Sequence, residues 1–323
     1  TNSYFFFFKH LIYIFIGIFI IIIFSSLETN QLFHYSYFLF FFTLVSLFLV
    51  PIIGIEVKGS KRWIDLFFLP RFQPIELLKP FLIIMIATIL CSVRSSNLYL
   101  KYLLSIVLVS IISLFLIMQP DIGQTLLVVF SWAVLIFTSG INIIFLFGLS
   151  VFVLISLAYL IMYVPKFDYI QSRIFSFFNR DTGTHNFQSD KAIESITSGG
   201  YFGKGIGEGT LKNRVPEAHT DYIISVISEE FGVVAIILIL LLFLMFIYMV
   251  LKKINYEKED KIKLVLIGCI SLILMQVTIH VGVNIRLFPT TGMTLPFLSY
   301  GGSSIVSISI LSGIILNLTK RKI

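Results

Sequence analysis

The densest group of proton-handling side chains in this sequence is Val215-Pro216-Glu217-Ala218-His219-Thr220-Asp221. A carboxylate at the mouth of a membrane segment is partly desolvated, which raises its pKa and suits it to general-base work. Asp221 is the candidate base, with Glu217, His219 and Thr220 as its neighbours at a substrate. A bland role competes: Thr220 or Asp221 could cap the helix expected over 222–232. Glu229 and Glu230, two turns later, are placed to orient basic partners rather than to perform chemistry.

A second cluster lies in Val57-Lys58-Gly59-Ser60-Lys61-Arg62-Trp63-Ile64-Asp65, followed by Gln73-Pro74-Ile75-Glu76 and Lys79. Arg62, Asp65, Glu76 and Lys79 are expected around Trp63, with Glu76 and Lys79 three apart on one helical face. Arginine offers a fork and lysine a point charge for phosphate oxygens. Ionisable groups at or inside a span are expensive in lipid, which marks them as candidate ligand contacts. In Gln119-Pro120-Asp121-Ile122-Gly123, Pro120 breaks the helix and Asp121 begins the next one, as an N-cap or as a carboxylate lining a polar cavity.

Two irregular stretches complete the set. The glycines from Gly199 to Gly209 contain G-x-G-x-x-G, but no strand precedes them and no helix of a βαβ unit follows, so a dinucleotide site is excluded. They are better suited to tight turns and close approach to a ligand. Asn284 to Ser304 is interrupted by two prolines and by glycines. Irregular backbone at membrane depth survives where it is buried in protein or lines a cavity. It is expected as a re-entrant wall, with Ser299 and Tyr300 among the substrate contacts. Metal-ligand spacing is absent, and the histidines are scattered.

These groups need a scaffold, and composition says which. Apolar residues make up 57% and charged residues only 13% of the chain, against about 25% charged in soluble domains. Nine apolar segments fit spans: 11–27, 35–54, 77–93, 102–118, 123–139, 143–163, 233–251, 262–283 and 303–318. The chain is therefore expected to be an all-α polytopic membrane protein, and the pattern of an outer-membrane barrel is missing. Cys91 and Cys269 both fall in spans, as buried free thiols. Residues 1–323 form one transmembrane domain, within which 164–232 is a large loop.

Lys252, Lys253, Lys258, Lys261 and Lys263, then Lys320, Arg321 and Lys322, and finally Arg94 and Lys101 fall on one side by span parity. The positive-inside bias makes that side cytoplasmic. Parity then puts 55–76, 164–232 and 284–302 together on the opposite face, where Asp221, Arg62-Trp63, Asp121 and the re-entrant stretch should converge on one cavity. That face is also basic, through Lys58, Lys61, Arg62, Arg71, Lys79, Arg173, Arg180, Lys191, Lys204, Lys212, Arg214 and Arg286. Charge placed there against the insertion bias suits an anionic ligand, although long translocated loops tolerate it anyway.

Four blocks, 58–79, 119–123, 188–232 and 284–304, resemble the SEDS membrane glycosyltransferases of bacterial peptidoglycan synthesis. The motifs His219-Thr220-Asp221 with Glu229-Glu230, and Leu295-Pro296-Phe297-Leu298-Ser299-Tyr300-Gly301-Gly302, carry the likeness most specifically. Glu56-Val57-Lys58-Gly59 and Arg286-Leu287-Phe288-Pro289 are closer to the FtsW-like division branch than to the RodA-like elongation branch.

The resemblance implies polymerisation of lipid II into glycan strands at the outer face of the plasma membrane, at the division septum. It maps an essential loop aspartate onto Asp221, an Arg-Trp pair onto Arg62 and Trp63, and a loop lysine onto Lys212. It implies a class B penicillin-binding transpeptidase and other division proteins as partners, together with membrane lipid and the growing glycan strand, and no nucleic acid. No cofactor is implied, and a divalent cation is left open. Ile75 departs from the small residue usual in the Gln-Pro-x-Glu block. The family carries ten spans, and 8–27 aligns with its second, so the resemblance implies a missing first span. A flippase for the same lipid-linked precursor is the rival function. It would place its ionisable groups near the midplane with repeat symmetry, whereas here they gather at one face and no internal repeat is seen.

Overall fold

A computed structural model of the chain describes residues 3–57, 59–66, 69–92, 98–164, 167–179, 184–211 and 215–320. Lys58, Arg94, Arg180, Lys212, Arg214, Arg321 and Lys322 lie outside the described residues. In chain order the helices are α1 (Ser3–Ser26), α2 (Thr29–Ile53), α3 (Pro74–Leu90), α4 (Leu98–Met118), α5 (Ile122–Thr138), α6 (Ile143–Tyr163), α7 (Asp168–Asn179), α8 (Thr184–Gly199), α9 (Ile223–Ile254), α10 (Asp260–Asn284) and α11 (Gly302–Thr319). Between α2 and α3 run three short strands, β1 (Ile55–Val57), β2 (Ser60–Leu66) and β3 (Leu69–Phe72).

Every expected span falls on one of these helices. Among the described residues α1, α2, α4, α9, α10 and α11 are long and apolar enough to cross a membrane. Helices α3 and α5 have 17 residues each, at the short end of the roughly 17–25 that spanning needs. The architecture is that of an all-α polytopic membrane protein, with a small antiparallel sheet in the first outer loop as the departure from it.

The chain divides into two compact units. The first comprises Thr1–Ser139, Phe246–Gln276 and Pro296–Ile323; the second comprises Gly140–Met245 and Val277–Leu295. In the first unit α1 packs along α11, α2 along α3, and α3 against α5 and α11. Polar side chains satisfy groups that lipid cannot solvate. Asn317 Nδ2 donates to the carbonyls of Phe24 (2.9 Å) and Leu27 (2.6 Å) at the end of α1. Trp132 Nε1 donates to Ser105 Oγ at 3.2 Å, tying α5 to α4.

The sheet has the order β1-β2-β3, with Ile55 opposite Trp63 and Ile64 opposite Phe72. Successive strand residues face opposite ways, which puts Arg62 and Ile64 on one face and Trp63 and Asp65 on the other. Asp65 accepts from Arg71 Nε at 2.7 Å at the exposed surface. It is thus drawn away from the expected cluster with Arg62, Glu76 and Lys79.

In the second unit the large loop contains α7 and α8, neither of which was expected: α7 carries Ile170, Ile174, Phe177 and Phe178 at helical spacing, whereas α8 gives no hydrophobic period. The buried positions of α8 are Ser189, Ala192, Ser195 and Gly199, spaced three or four apart as a helix face requires, but small and largely polar. The helix expected over 222–232 and the span at 233–251 are joined as α9. Gly232, at φ 79° and ψ 177°, interrupts that helix.

Candidate functional site

Two groups of polar side chains stand out, one in each unit. In the first unit the break between α4 and α5 presents Asp121, whose carboxylate accepts from Gln124 N at 3.4 Å as the N-cap of α5. The same carboxylate accepts from Gln73 Nε2 at 2.8 Å and lies 3.8 Å from Arg62 Nη1. Asp121 therefore caps α5 and at the same time joins a cluster with Gln73 and Arg62. Burial pushes the Asp121 carboxyl above the ordinary carboxylate range, while Arg62 and the Gln124 N–H pull it back in part.

Arg62 reaches this break from β2. Its Nε donates to Gln119 O at 3.0 Å and its Nη2 to Pro120 O. The fork is thus engaged with main-chain carbonyls, which fixes the turn that presents Asp121. Below it, Lys79 Nζ stands 2.9 Å from Glu76 Oε2, both side chains almost fully buried. Gln124 Nε2 donates to Glu76 Oε1, so one glutamine links the Glu76–Lys79 pair to the Asp121 turn. Gln73 N donates to Ser303 Oγ at 3.0 Å. Trp63 is half-buried on β2, Ser299 is buried, and the half-buried Tyr300 ring lies 6.1 Å from that of His10.

In the second unit the chain from Val215 to Tyr222 forms tight turns ahead of α9. Glu217 takes a left-handed φ of 57°. Its carbonyl accepts from Thr220 N and Asp221 N, each at 3.1 Å, and its carboxylate accepts from Thr220 Oγ1 at 3.2 Å. Glu217 and His219 are exposed, while Thr220 and Asp221 are half-buried. Helix α9 opens at Ile223, two residues past Asp221.

The wall beside Asp221 comes from α10 and the irregular segment after it. A β-carbon at Gly292 would stand 3.6 Å from Asp221 Oδ2. Asn284 Nδ2 donates to Asp221 O at 3.0 Å and to His280 O at 2.8 Å. His280 Nδ1 lies 2.7 Å from Met293 O. These two buried residues therefore hold the Asp221 turn and the 291–295 segment to the end of α10. Arg286, at φ 56°, pairs with Asp190 of α8.

The glycine series is built onto α9 at its break. Because Gly232 turns out of the helix, the N–H groups of Val233 and Val234 lose their usual partners and donate instead to Gly200 O (3.0 Å) and Tyr201 O (3.3 Å). The carbonyls of Glu229 and Glu230 accept in turn from Lys204 N (2.9 Å) and Gly205 N (3.0 Å). This crossing needs glycine on both chains: a β-carbon at Gly203 would stand 2.1 Å from Glu230 O, and one at Gly232 2.1 Å from Tyr201 O. Glu229, fully buried, closes the loop by accepting from Thr210 N (2.9 Å), Leu211 N (3.0 Å) and Ser195 Oγ (3.2 Å), with Lys204 Nζ at 3.3 Å.

Sequence reasoning missed Gln73, Gln124, His280 and Asn284. The sequence signal for His280 was a polar residue near the end of an otherwise apolar span, and Asn284 opened the stretch expected as a re-entrant wall without being singled out. Lys212 lies outside the described residues. Arg62, Lys79, Lys204 and Arg286 each enter the structure with a carboxylate or carbonyl partner. Among the described residues no group of three or more His, Cys, Asp or Glu could hold a metal ion.

Residues 1–322 match the family model of cell cycle proteins that groups FtsW, RodA and SpoVE. A probable peptidoglycan glycosyltransferase FtsW of Caulobacter vibrioides is 31% identical over 303 residues, covering 92% of this chain and 75% of the relative. One of the same name from Nitrosomonas europaea is 35% identical over 280 residues, 84% of this chain and 71% of the relative. Among solved structures, a chain described under the structural coordination of polymerization and crosslinking by a peptidoglycan synthase complex superposes with a TM-score of 0.78. It has 25% identity and covers 97% of this chain and 88% of its own length. The rod shape determining protein RodA of Thermus thermophilus superposes with a TM-score of 0.70 at 26% identity, covering 97% of this chain and 86% of RodA.

Proposed function

Because the chain belongs to the FtsW–RodA–SpoVE family of cell cycle proteins, we propose that it polymerises lipid II into glycan strands during septal wall synthesis, with Asp221 as general base. It is a multi-pass membrane enzyme of the peptidoglycan glycosyltransferase type. Asp221 acts at the outer face of the bacterial plasma membrane, in company with a class B penicillin-binding transpeptidase.

The observation that carries the assignment of the base is the seating of Asp221. Its main chain is fixed by Glu217 and Asn284, and its half-buried carboxylate lies beside Gly292, which brings no side chain of its own. A base held this way is pre-positioned for an incoming hydroxyl, and proximity of that kind is a large part of rate enhancement.

The reaction is an inverting transfer. The acceptor sugar hydroxyl attacks the anomeric carbon of the donor as Asp221 takes the hydroxyl proton. The bond from that carbon to the pyrophosphate oxygen breaks, and the lipid pyrophosphate leaves with the electron pair. Its developing charge is stabilised by pre-placed cations. Lys212 is the cation assigned to it in the Asp221 loop, and Arg62 shapes the Asp121 turn. Lipid II given to the purified full chain with its transpeptidase should yield polymer, and the Asp221→Asn variant should yield none. Absence of polymer from the wild type under those conditions would overturn the reading.

A further inference from the structure

The glycine loop presents three large apolar side chains that the described residues leave largely uncovered. Tyr201, Phe202 and Ile206 are 78%, 84% and 77% exposed. They belong to a loop whose backbone is fixed on α9 by the four crossing hydrogen bonds around Gly232, so they do not simply trail into solvent. Lys204, between them in sequence, is turned back to the buried Glu229 carboxylate. The cation is thus withdrawn and the apolar side chains are left at the surface.

Height along α9 decides what meets them. The loop carbonyls of Gly200 and Tyr201 bond the N–H groups of Val233 and Val234, where the apolar run 233–251 begins. A helical run of that length is about 28 Å, close to the roughly 30 Å of a bilayer's hydrocarbon core. Residues 233–234 therefore mark the hydrocarbon boundary, and the loop lies level with it. From that level on Val234, Ile237, Leu238 and Leu241 are 40–57% exposed, a surface that a spanning helix turns to lipid. The exposed apolar side chains of the loop thus sit at the level where the exposed apolar surface of α9 begins, and aromatic side chains favour that depth.

We propose that Tyr201, Phe202 and Ile206 insert into the outer leaflet of the phospholipid bilayer and anchor the glycine loop at the membrane interface. The anchor holds, through Glu229 and the Gly232 crossing, the helical segment 223–231 that Asp221 precedes. The anchor does not depend on Asp221 being the base.

The test uses the full chain carrying Cys91→Ala and Cys269→Ala, reconstituted alone in phosphatidylcholine–phosphatidylglycerol vesicles. Spin labels are placed singly by Phe202→Cys, Ile206→Cys, Glu208→Cys and Leu241→Cys. The ratio of collision with dissolved oxygen to collision with a water-soluble nickel chelate is read for each. The ratio at 202 and 206 should exceed that at 208 several-fold and approach that at 241. A ratio at 202 and 206 equal to that at 208 overturns the anchor. So does protection that appears only after the transpeptidase is added, which would make the surface a protein interface. Phe202→Trp in otherwise native protein gives an independent reading: it should add fluorescence that acyl-brominated phospholipid quenches, and unquenched added fluorescence counts against insertion.

Discussion

Asn284 donates from one side-chain nitrogen to the main-chain carbonyls of both Asp221, at 3.0 Å, and His280, at 2.8 Å. An amide NH2 carries two protons, so both bonds form at once. The end of α10 thereby sets the backbone from which the Asp221 carboxylate projects. Asn284→Ala leaves the Asp221 carbonyl short of its donor, a loss of about 1–3 kcal/mol when such a group is buried. We expect polymerisation by Asn284→Ala to fall roughly tenfold or more, chiefly in kcat, because 1.4 kcal/mol is a factor of ten. Steady-state polymerisation with varied lipid II checks this; an unchanged kcat would show that the turn holds itself.

Asp221→Asn keeps the volume and removes the base. General-base loss costs about 10²–10⁴-fold in rate, so polymer should drop by at least that range while membrane abundance stays at the wild-type level. Quantitative immunoblotting of membranes beside the polymer assay separates the two. Near-normal polymer from the variant would move the base elsewhere, with Asp121 the next candidate.

The spans and the buried charged groups were legible for the same reason. In a chain with so few charges, each apolar run and each charged exception is conspicuous, and Glu76, Lys79 and Asp121 are buried polar groups as their position suggested. Helix α8 was not legible because its buried face is Ser189, Ala192, Ser195 and Gly199, which gives no hydrophobic period. The β2 strand was hidden by its charges, and Asp65 went to Arg71 because a local pairing in an exposed hairpin costs little. His280 sat inside what read as an ordinary span and Asn284 at the start of the expected re-entrant stretch, and only the fold shows what their polar atoms hold.

Arg62→Lys tests whether charge or shape matters at the first outer loop. The guanidinium serves Gln119 O through Nε and Pro120 O through Nη2, and a lysine ammonium cannot reproduce that fork. Lysine should therefore rescue neither the thermal midpoint nor the lipid II affinity lost in Arg62→Ala. Binding and melting measured on both variants decide it: full rescue by lysine would make Arg62 a simple positive charge.

Glu229 should behave as the keystone of the glycine loop rather than as a reacting group. Its buried carboxylate accepts two backbone N–H bonds and a hydroxyl, besides facing Lys204. Removing one side of such a buried network costs about 3 kcal/mol, so Glu229→Ala should melt markedly lower in detergent. Glu229→Gln retains one acceptor oxygen and should lose less. Equal melting of Glu229→Ala and wild type would show that the Gly232 crossing alone fixes the loop.

Asp121 should leave a signature in the pH dependence of stability. Burial holds its pKa above the ordinary carboxylate value despite Arg62 and the Gln124 N–H, whereas in the unfolded chain it titrates near 3.9, roughly the reference value. Between those two values the folded protein carries the extra proton. The Asp121 contribution to stability is therefore fully present below about pH 3.9 and is lost as pH rises through the folded pKa. Asparagine at this position does not titrate, so Asp121→Asn lacks that loss. The thermal midpoint of the wild type minus that of Asp121→Asn should fall as pH is raised from about 4 and level off above the folded pKa. A difference that stays flat would mean that Asp121 does not titrate anomalously. A difference that grows with pH would put the attraction of Arg62, 3.8 Å away, ahead of desolvation and make the pair a stabilising salt bridge.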